Sequence, residues 1–225
     1  MYVLHIANKN YSSWSLRPWV LMRERGIAFE ERQHLFGDTP RAFLSFSPSG
    51  RVPCLYDGAR QVWDSLAIVE YLAERHPGVW PADEDARAWA RSAAAEMHSG
   101  FSVLRDICTM NCGLRIRLHE VPAALADELV RTEALWLDGF TRFGGPFLAG
   151  AAFTAVDAFF APVAFRAQTY GLALDPGYVQ RLLALPAMRE WYAAALAETA
   201  REPGHEEEAR LAGEWTEDLR AVAAD

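Results

Sequence analysis

Two short stretches carry residue types that could read the backbone of a small peptide. Val52-Pro53 leads into Cys54-Leu55 and a turn at Asp57-Gly58, and Asp64-Ser65 opens a helical pattern. An X-Pro bond adopts the cis form at modest cost, and a cis bond leaves the N–H and C=O of the preceding Val52 free to face a ligand. Asp64-Ser65 supplies an acceptor and a donor at a helix N-terminus, where peptide N–H groups attract carboxylates. Together these residues are expected to form a small site for a peptide-like molecule.

The elements that must hold them follow from periodicity. Residues 2–7 read as a strand, Leu16 to Arg25 as a helix ended by Gly26 with Pro18 in its first turn, and 27–33 as a second strand. A short helical turn is expected over 40–46. Pro53–Tyr56 and Gln61–Trp63 read as a hairpin about Asp57-Gly58, and Ser65–Arg75 as a helix with Leu66, Val69 and Leu72 inward. His76-Pro77-Gly78 breaks this pattern, and the composition shift over 77–83 marks a boundary between an α/β part, 1–78, and an all-helical part, 84–225. Helices are expected over 84–111, 122–143, 155–170, 177–184, 186–201 and 206–222, with no strand among them.

The chain has 225 residues, 51% hydrophobic and 23% charged, enough for one large domain or two small ones. A net charge of −8 argues against nonspecific nucleic-acid binding. The first residues hold no basic region or cleavable apolar segment, and no apolar run reaches the ~18 residues of a membrane helix, so a cytoplasmic location is expected. The cysteines Cys54, Cys108 and Cys112 fit a reducing compartment. Cys108 and Cys112 are expected on one helix face as half-buried thiols, and no metal site is expected. Glu206-Glu207-Glu208 reads as a solvated face.

Three motifs in order resemble the cytosolic glutathione S-transferases: Ser47-Pro48-Ser49-Gly50-Arg51-Val52-Pro53-Cys54-Leu55, Asp64-Ser65-Leu66-Ala67-Ile68-Val69-Glu70-Tyr71-Leu72, and Phe147-Leu148-Ala149-Gly150 followed by Thr154-Ala155-Val156-Asp157. The opening turn Tyr11-Ser12-Ser13-Trp14-Ser15-Leu16-Arg17 is similar to the Ser-Ser-Cys-Ser-x-Arg turn of the zeta class, with Trp14 in place of the cysteine. The resemblance implies a thioredoxin-like α/β N-terminal domain, an all-α C-terminal domain, a homodimer, and glutathione as co-substrate with a small hydrophobic electrophile.

It also implies roles for residues. Ser12 or Ser13 would donate a hydrogen bond to the glutathione sulfur and favour its thiolate. Ser12 matches the zeta serine in register and is preferred, whereas Ser13 matches a theta-like spacing. Val52 and Pro53 would hold the cysteinyl unit, and Asp64 and Ser65 the γ-glutamyl end. His34, Arg51, Lys9 and Gln61 are candidates for the glycine carboxylate. Trp14, His98, Phe101, Arg105, Phe165 and Arg166 would line the electrophile site. Thr154 and Asp157 would form a structural capping box. The alternatives are a glutathione-dependent cis-trans isomerase of the maleylacetoacetate isomerase type and a non-catalytic interaction module.

Overall fold

The computed structural model describes residues 1–36 and 42–222. Its N-terminal part is built on a four-stranded sheet of β1 (Tyr2–Ile6), β2 (Phe29–Gln33), β3 (Cys54–Asp57) and β4 (Arg60–Trp63), in the order β2-β1-β3-β4. β2 is parallel to β1, whereas β1 to β3 and β3 to β4 are antiparallel. A parallel pair needs a crossover, and α1 (Ser13–Glu24) supplies it. Alternation along the strands sends Leu4, Ile6 and Leu55 to the face covered by α1 and α2 (Ser65–Ala73), where Leu16, Trp19, Val20, Ile68, Val69 and Leu72 are fully buried. The other face carries a smaller cluster of Ala7, Phe43, Phe46 and Cys54. The helical turn expected over 40–46 is a 3-10 turn at Ala42–Ser45; residues 40 and 41 lie outside the described residues.

The remainder is largely helical: α3 (Glu84–Ser99), α4 (Ser102–Ile107), α5 (Ala123–Phe143), α6 (Ala155–Tyr170), α7 (Pro176–Leu183), α8 (Pro186–Ala197) and α9 (Pro203–Ala212). It is not all-helical. β5 (Leu114–Leu118) pairs antiparallel with β6 (Gly213–Asp218), so the helix expected over 206–222 ends at Ala212. At Gly213 any Cβ would lie 2.3 Å from the Arg117 carbonyl oxygen, so only glycine lets the strands meet there.

Two other expectations are corrected. The helix expected over 84–111 breaks at Gly100, where a Cβ would lie 2.9 Å from the Glu96 carbonyl oxygen, and at Phe101, which has φ +55°. The carboxylate of Glu128 on α5 then accepts the Val103 and Leu104 N–H groups, capping α4 from a neighbouring helix. Cys112 therefore lies outside any helix, and Cys108 and Cys112 share no helix face; all three thiols are free and fully buried. Second, α1 begins at Ser13 rather than Leu16, because Leu16 N–H already bonds the Ser12 carbonyl, and Pro18 falls inside the helix.

α6 is buried along its length; only Gln168 is partly exposed. Its start is fastened by the capping box of Thr154 and Asp157. Asp157 accepts from Thr154 N–H at 2.9 Å, Leu148 N–H at 3.0 Å and the Tyr178 hydroxyl at 2.8 Å, all buried. Replacing Asp157 by Ala leaves three buried donors unsatisfied and is expected to cost about 2–4 kcal/mol, against about 1 kcal/mol for Tyr178→Phe, both read from urea unfolding.

Candidate active site

The turn between β1 and α1 forms one wall of a cleft of about 710 Å³. Tyr11, Ser12, Ser13 and Trp14 come from the turn, Gly50, Arg51 and Val52 from the loop before β3, and Phe36 and Phe43 from the sheet side. The opposite wall is Arg105, Asp106, Thr109 and Met110 from α4 and the segment after it, Arg166 from α6, and His205 and Glu208 from α9. The Val52–Pro53 bond is cis.

The two serines are held differently. The Ser12 hydroxyl donates to Ser15 Oγ at 2.7 Å, so its one proton is used inside the turn. Ser13 Oγ instead accepts from Arg166 Nη2 at 3.5 Å, which leaves its own proton unclaimed. Arg166 is buried, and its guanidinium also donates to the carbonyls of Cys108 at 2.7 Å and Pro162 at 3.3 Å. Burial pushes its pKa down to about 10, with Arg105 adding to the fall. Arg17 lies against the Trp14 ring, 4.2 Å from its centroid, and is 1% exposed; its Nε and Nη1 have no partner. Burial, then repulsion by Arg166 and Arg105, pushes it down to about 9.

Asp64 and Ser65 lie off the main cleft but are linked to it. Asp64 caps α2 through the Leu66 N–H at 2.8 Å while holding φ at +75°, a conformation that costs a non-glycine residue about 1–3 kcal/mol. Its Oδ2 is 3.4 Å from His98 Nε2, and the His98 ring meets the Trp14 ring edge-on at 5.2 Å. The Ser65 hydroxyl is fully buried and unpartnered. An unpaired buried hydroxyl beside a strained residue is the pattern of a site shaped for a ligand.

Of the four candidates for the glycine carboxylate, only Arg51 lines the cleft. Lys9 is buried in an ion pair with Glu31. Gln61 is bonded to Tyr56 Oη on the outer strand. His34 is turned onto His5, with Nε2 at 2.9 Å from His5 Nδ1, and stacks on Phe46 at 4.0 Å. Trp14, Arg105 and Arg166 line the cleft as expected, but Phe165 stacks on Tyr192 in the core and Phe101 is buried at the start of α4.

The wall from α9 had no counterpart in the sequence reading. The Tyr11 hydroxyl donates to Glu206 Oε1 at 2.8 Å, and His205 stacks on Tyr11 at 4.9 Å and on Phe36 at 5.0 Å. Glu206 is buried and ion-paired with Arg220. The acidic run is thus not a solvated face throughout: Glu206 is buried and structural, while Glu207 and Glu208 are exposed, Glu207 beside Arg210 and Glu208 at the rim of the cleft. Tyr11 and Glu206 are 195 positions apart, and no local pattern announces such a pairing. Among the described residues no cluster of His, Cys, Asp or Glu is arranged to hold a metal ion.

A thioredoxin-like sheet carrying a serine turn and a cis-proline loop, covered by a helical partner, defines a class of thiol-handling proteins. Residues 11–75 match the family profile described as glutathione S-transferase, N-terminal domain. A protein of Caenorhabditis elegans named "Probable maleylacetoacetate isomerase" is 23% identical over 77% of this chain and 82% of its own length. The zeta-class glutathione S-transferase of Euphorbia esula is 34% identical over 44% of this chain, a match spanning about half of that relative, 47%. The crystal structure of the theta-class glutathione S-transferase of Xanthomonas axonopodis pv. citri, with glutathione bound, superposes with a TM-score of 0.61 at 26% identity, covering 85% of this chain and 96% of that one. Residues 11–75 thus match a glutathione S-transferase N-terminal domain, and zeta- and theta-class glutathione S-transferases are among the proteins to which the chain is similar.

The His5–His34 contact has a consequence for stability. Burial, the neighbouring His34 and then Arg32 push His5 down to about 4, and burial lowers His34 as well. An imidazole whose folded pKa lies below its unfolded value takes up protons more readily when unfolded. Its stabilising contribution is therefore complete above the ordinary value of 6.5 and is lost as pH falls towards 4. The loss is expected to be on the order of 2 kcal/mol, reduced by partial solvation of the ring. His5→Gln should flatten the stability curve across that window, as read from urea unfolding at a series of pH values.

Proposed function

We propose that the protein is a glutathione transferase in which Ser13, rather than Ser12, donates to the glutathione sulfur. The observation that carries this reading is the division of labour in the turn: Ser12 donates to Ser15, while Ser13 accepts from Arg166 and keeps its proton for a ligand in the cleft. A hydroxyl proton aimed at sulfur and a guanidinium behind it both favour thiolate over thiol, and lower a thiol pKa from about 8.5. The thiolate is the nucleophile: its lone pair forms the bond to the electrophile's carbon as the leaving group departs with the old bonding pair.

In this reading Val52, beside the cis bond to Pro53, holds the cysteinyl unit by its backbone. Asp64 takes the γ-glutamyl ammonium and Ser65 the carboxylate, and Arg51 is the cleft-lining cation for the glycine end. Residues 1–78 would form the glutathione-binding unit and 84–225 the electrophile-site unit, in a cytoplasmic homodimer. The strain at Asp64 and the unpaired Ser65 hydroxyl favour a ligand-binding protein over an inert interaction module. The likeness to the worm protein supports a second reading, isomerisation, in which the same thiolate adds to an activated double bond and is later expelled unchanged.

Ser13→Ala is expected to lower kcat/KM with an aryl halide by about 100-fold and to raise the pKa of bound glutathione by about one unit, read from thiolate ultraviolet absorbance. Ser12→Ala should stay within about fivefold of the parent rate while losing about 1 kcal/mol of stability. Ser65→Ala should weaken glutathione binding about tenfold in calorimetry with kcat little changed, the pattern of lost ground-state binding. Full turnover by Ser13→Ala together with a large loss in Ser12→Ala would reverse the assignment of the two serines.

A further inference from the structure

The carboxylate of Asp64 has one oxygen left for a ligand. Its Oδ1 accepts the Leu66 and Ala67 N–H groups at 2.8 and 3.4 Å, which fixes the side chain at the start of α2. Oδ2 is the other, and it lies 3.4 Å from Nε2 of His98, in the last turn of α3. The His98 ring is confined between its neighbours. It meets the Trp14 ring edge-on at 5.2 Å and lies 6.1 Å from the Phe159 ring of α6. Its second nitrogen, Nδ1, is buried and has no partner. The charged groups that act on the ring are Asp64 ahead of α2, Arg17 on α1 and Arg105 on α4.

What a cation finds at Oδ2 therefore depends on the protonation state of one imidazole. Neutral His98 leaves the carboxylate its charge, and the Asp64 side chain is 47% exposed, so an ammonium group can reach it. An imidazolium pairs with that same oxygen and repels a second cation. It also buries an Nδ1–H with no acceptor and adds a third cation beside Arg17 and Arg105. Burial holds His98 below the ordinary imidazole value of 6.5, Asp64 pulls it up, and Arg17 and Arg105 push it down again. The charged form thus enters only on the acid side of that value. We infer that His98 is a positioning residue for glutathione: neutral, it leaves Asp64 Oδ2 to the γ-glutamyl ammonium; charged, it takes that oxygen and competes with the ligand. The inference rests on the transferase reading for the identity of the ligand. By linkage, a bound ammonium opposes protonation of His98 to the same extent.

The probe is S-methylglutathione, which keeps the ammonium and both carboxylates but has no thiol to ionise, so its charge is constant between about pH 5 and pH 7.5. Calorimetry on the unaltered protein is expected to show binding about fivefold weaker at about pH 5 than at about pH 7.5. His98→Gln cannot charge and is expected to keep its affinity within about twofold across that range, binding more tightly than the unaltered protein at the acid end. His98→Phe keeps a ring against Trp14 and should give the same flat profile, whereas a merely structural role would shift affinity alike at every pH. A further measurement needs no substitution: the titration of the His98 ring, followed by NMR, should move to lower pH when S-methylglutathione is bound. Equal pH dependence in the unaltered protein and His98→Gln, or a His98 titration that the ligand does not move, would overturn the inference and leave the transferase reading standing. Failure to bind S-methylglutathione at about pH 7.5 would defeat that reading and the inference with it.

Discussion

A helix buried along nearly its whole length needs internal partners for the polar side chains it carries, and α6 is such a helix, with Gln168 alone partly exposed. Asp157 at its start gathers donors from the preceding loop and from α7. Towards its end, Arg166 bonds the Cys108 carbonyl, Thr169 the Asn111 carbonyl at 2.7 Å and Tyr170 the Thr109 carbonyl at 2.9 Å. Three side chains on one helix thus fasten the irregular segment Cys108–Asn111, which supplies Thr109 and Met110 to the cleft. The same helix packs across α1 and brings a guanidinium to Ser13. The wall of the site is in this sense the hydrogen-bond satisfaction of α6.

The C-terminal segment depends on a second buried polar hub. Although burial pushes the other way, bonds from Arg220 and Tyr11 hold the Glu206 carboxyl below its ordinary range. Asn111 also donates to it, at 3.3 Å. A buried ion pair of this kind contributes little net stability but strongly penalises any other placement of the groups. It sets α9 over the turn, and β6 against β5, so that His205 and Glu208 close the outer side of the cleft. The hub joins the first turn of the chain to its last helix.

Part of the local cost of the fold falls at the site. Asp64 holds a positive φ, Ser65 and Arg17 hold buried polar atoms without partners, and Arg17 lies close enough to Arg166 and Arg105 to be repelled by both. The sheet and the helical core around them bury apolar residues in periodic stripes, and there too Trp80, Trp136 and Trp215 each hold a buried indole N–H without a partner. Departures from the rules that govern the rest of a protein are expected where a ligand completes the arrangement.

The sequence alone determined the order of elements along the first part of the chain, the Val52-Pro53 and Asp64-Ser65 motifs, the Thr154–Asp157 capping box and the largely helical character of the second half. Each of these is written within a few residues: strand alternation, turn chemistry, a cap and its partner three positions on. The alternation Leu114-Arg115-Ile116-Arg117-Leu118 carried a strand signal as well, but its partner β6 lies about a hundred positions away and was masked by a helical composition. The tertiary structure alone decided which serine keeps a free proton, which cation faces the cleft, and that Glu206 of the acidic run folds inward. Ser13 and Arg166 are separated by 153 positions, and Tyr11 and Glu206 by 195. Hydrogen bonding and desolvation between such pairs depend on distance in space, which local periodicity does not encode.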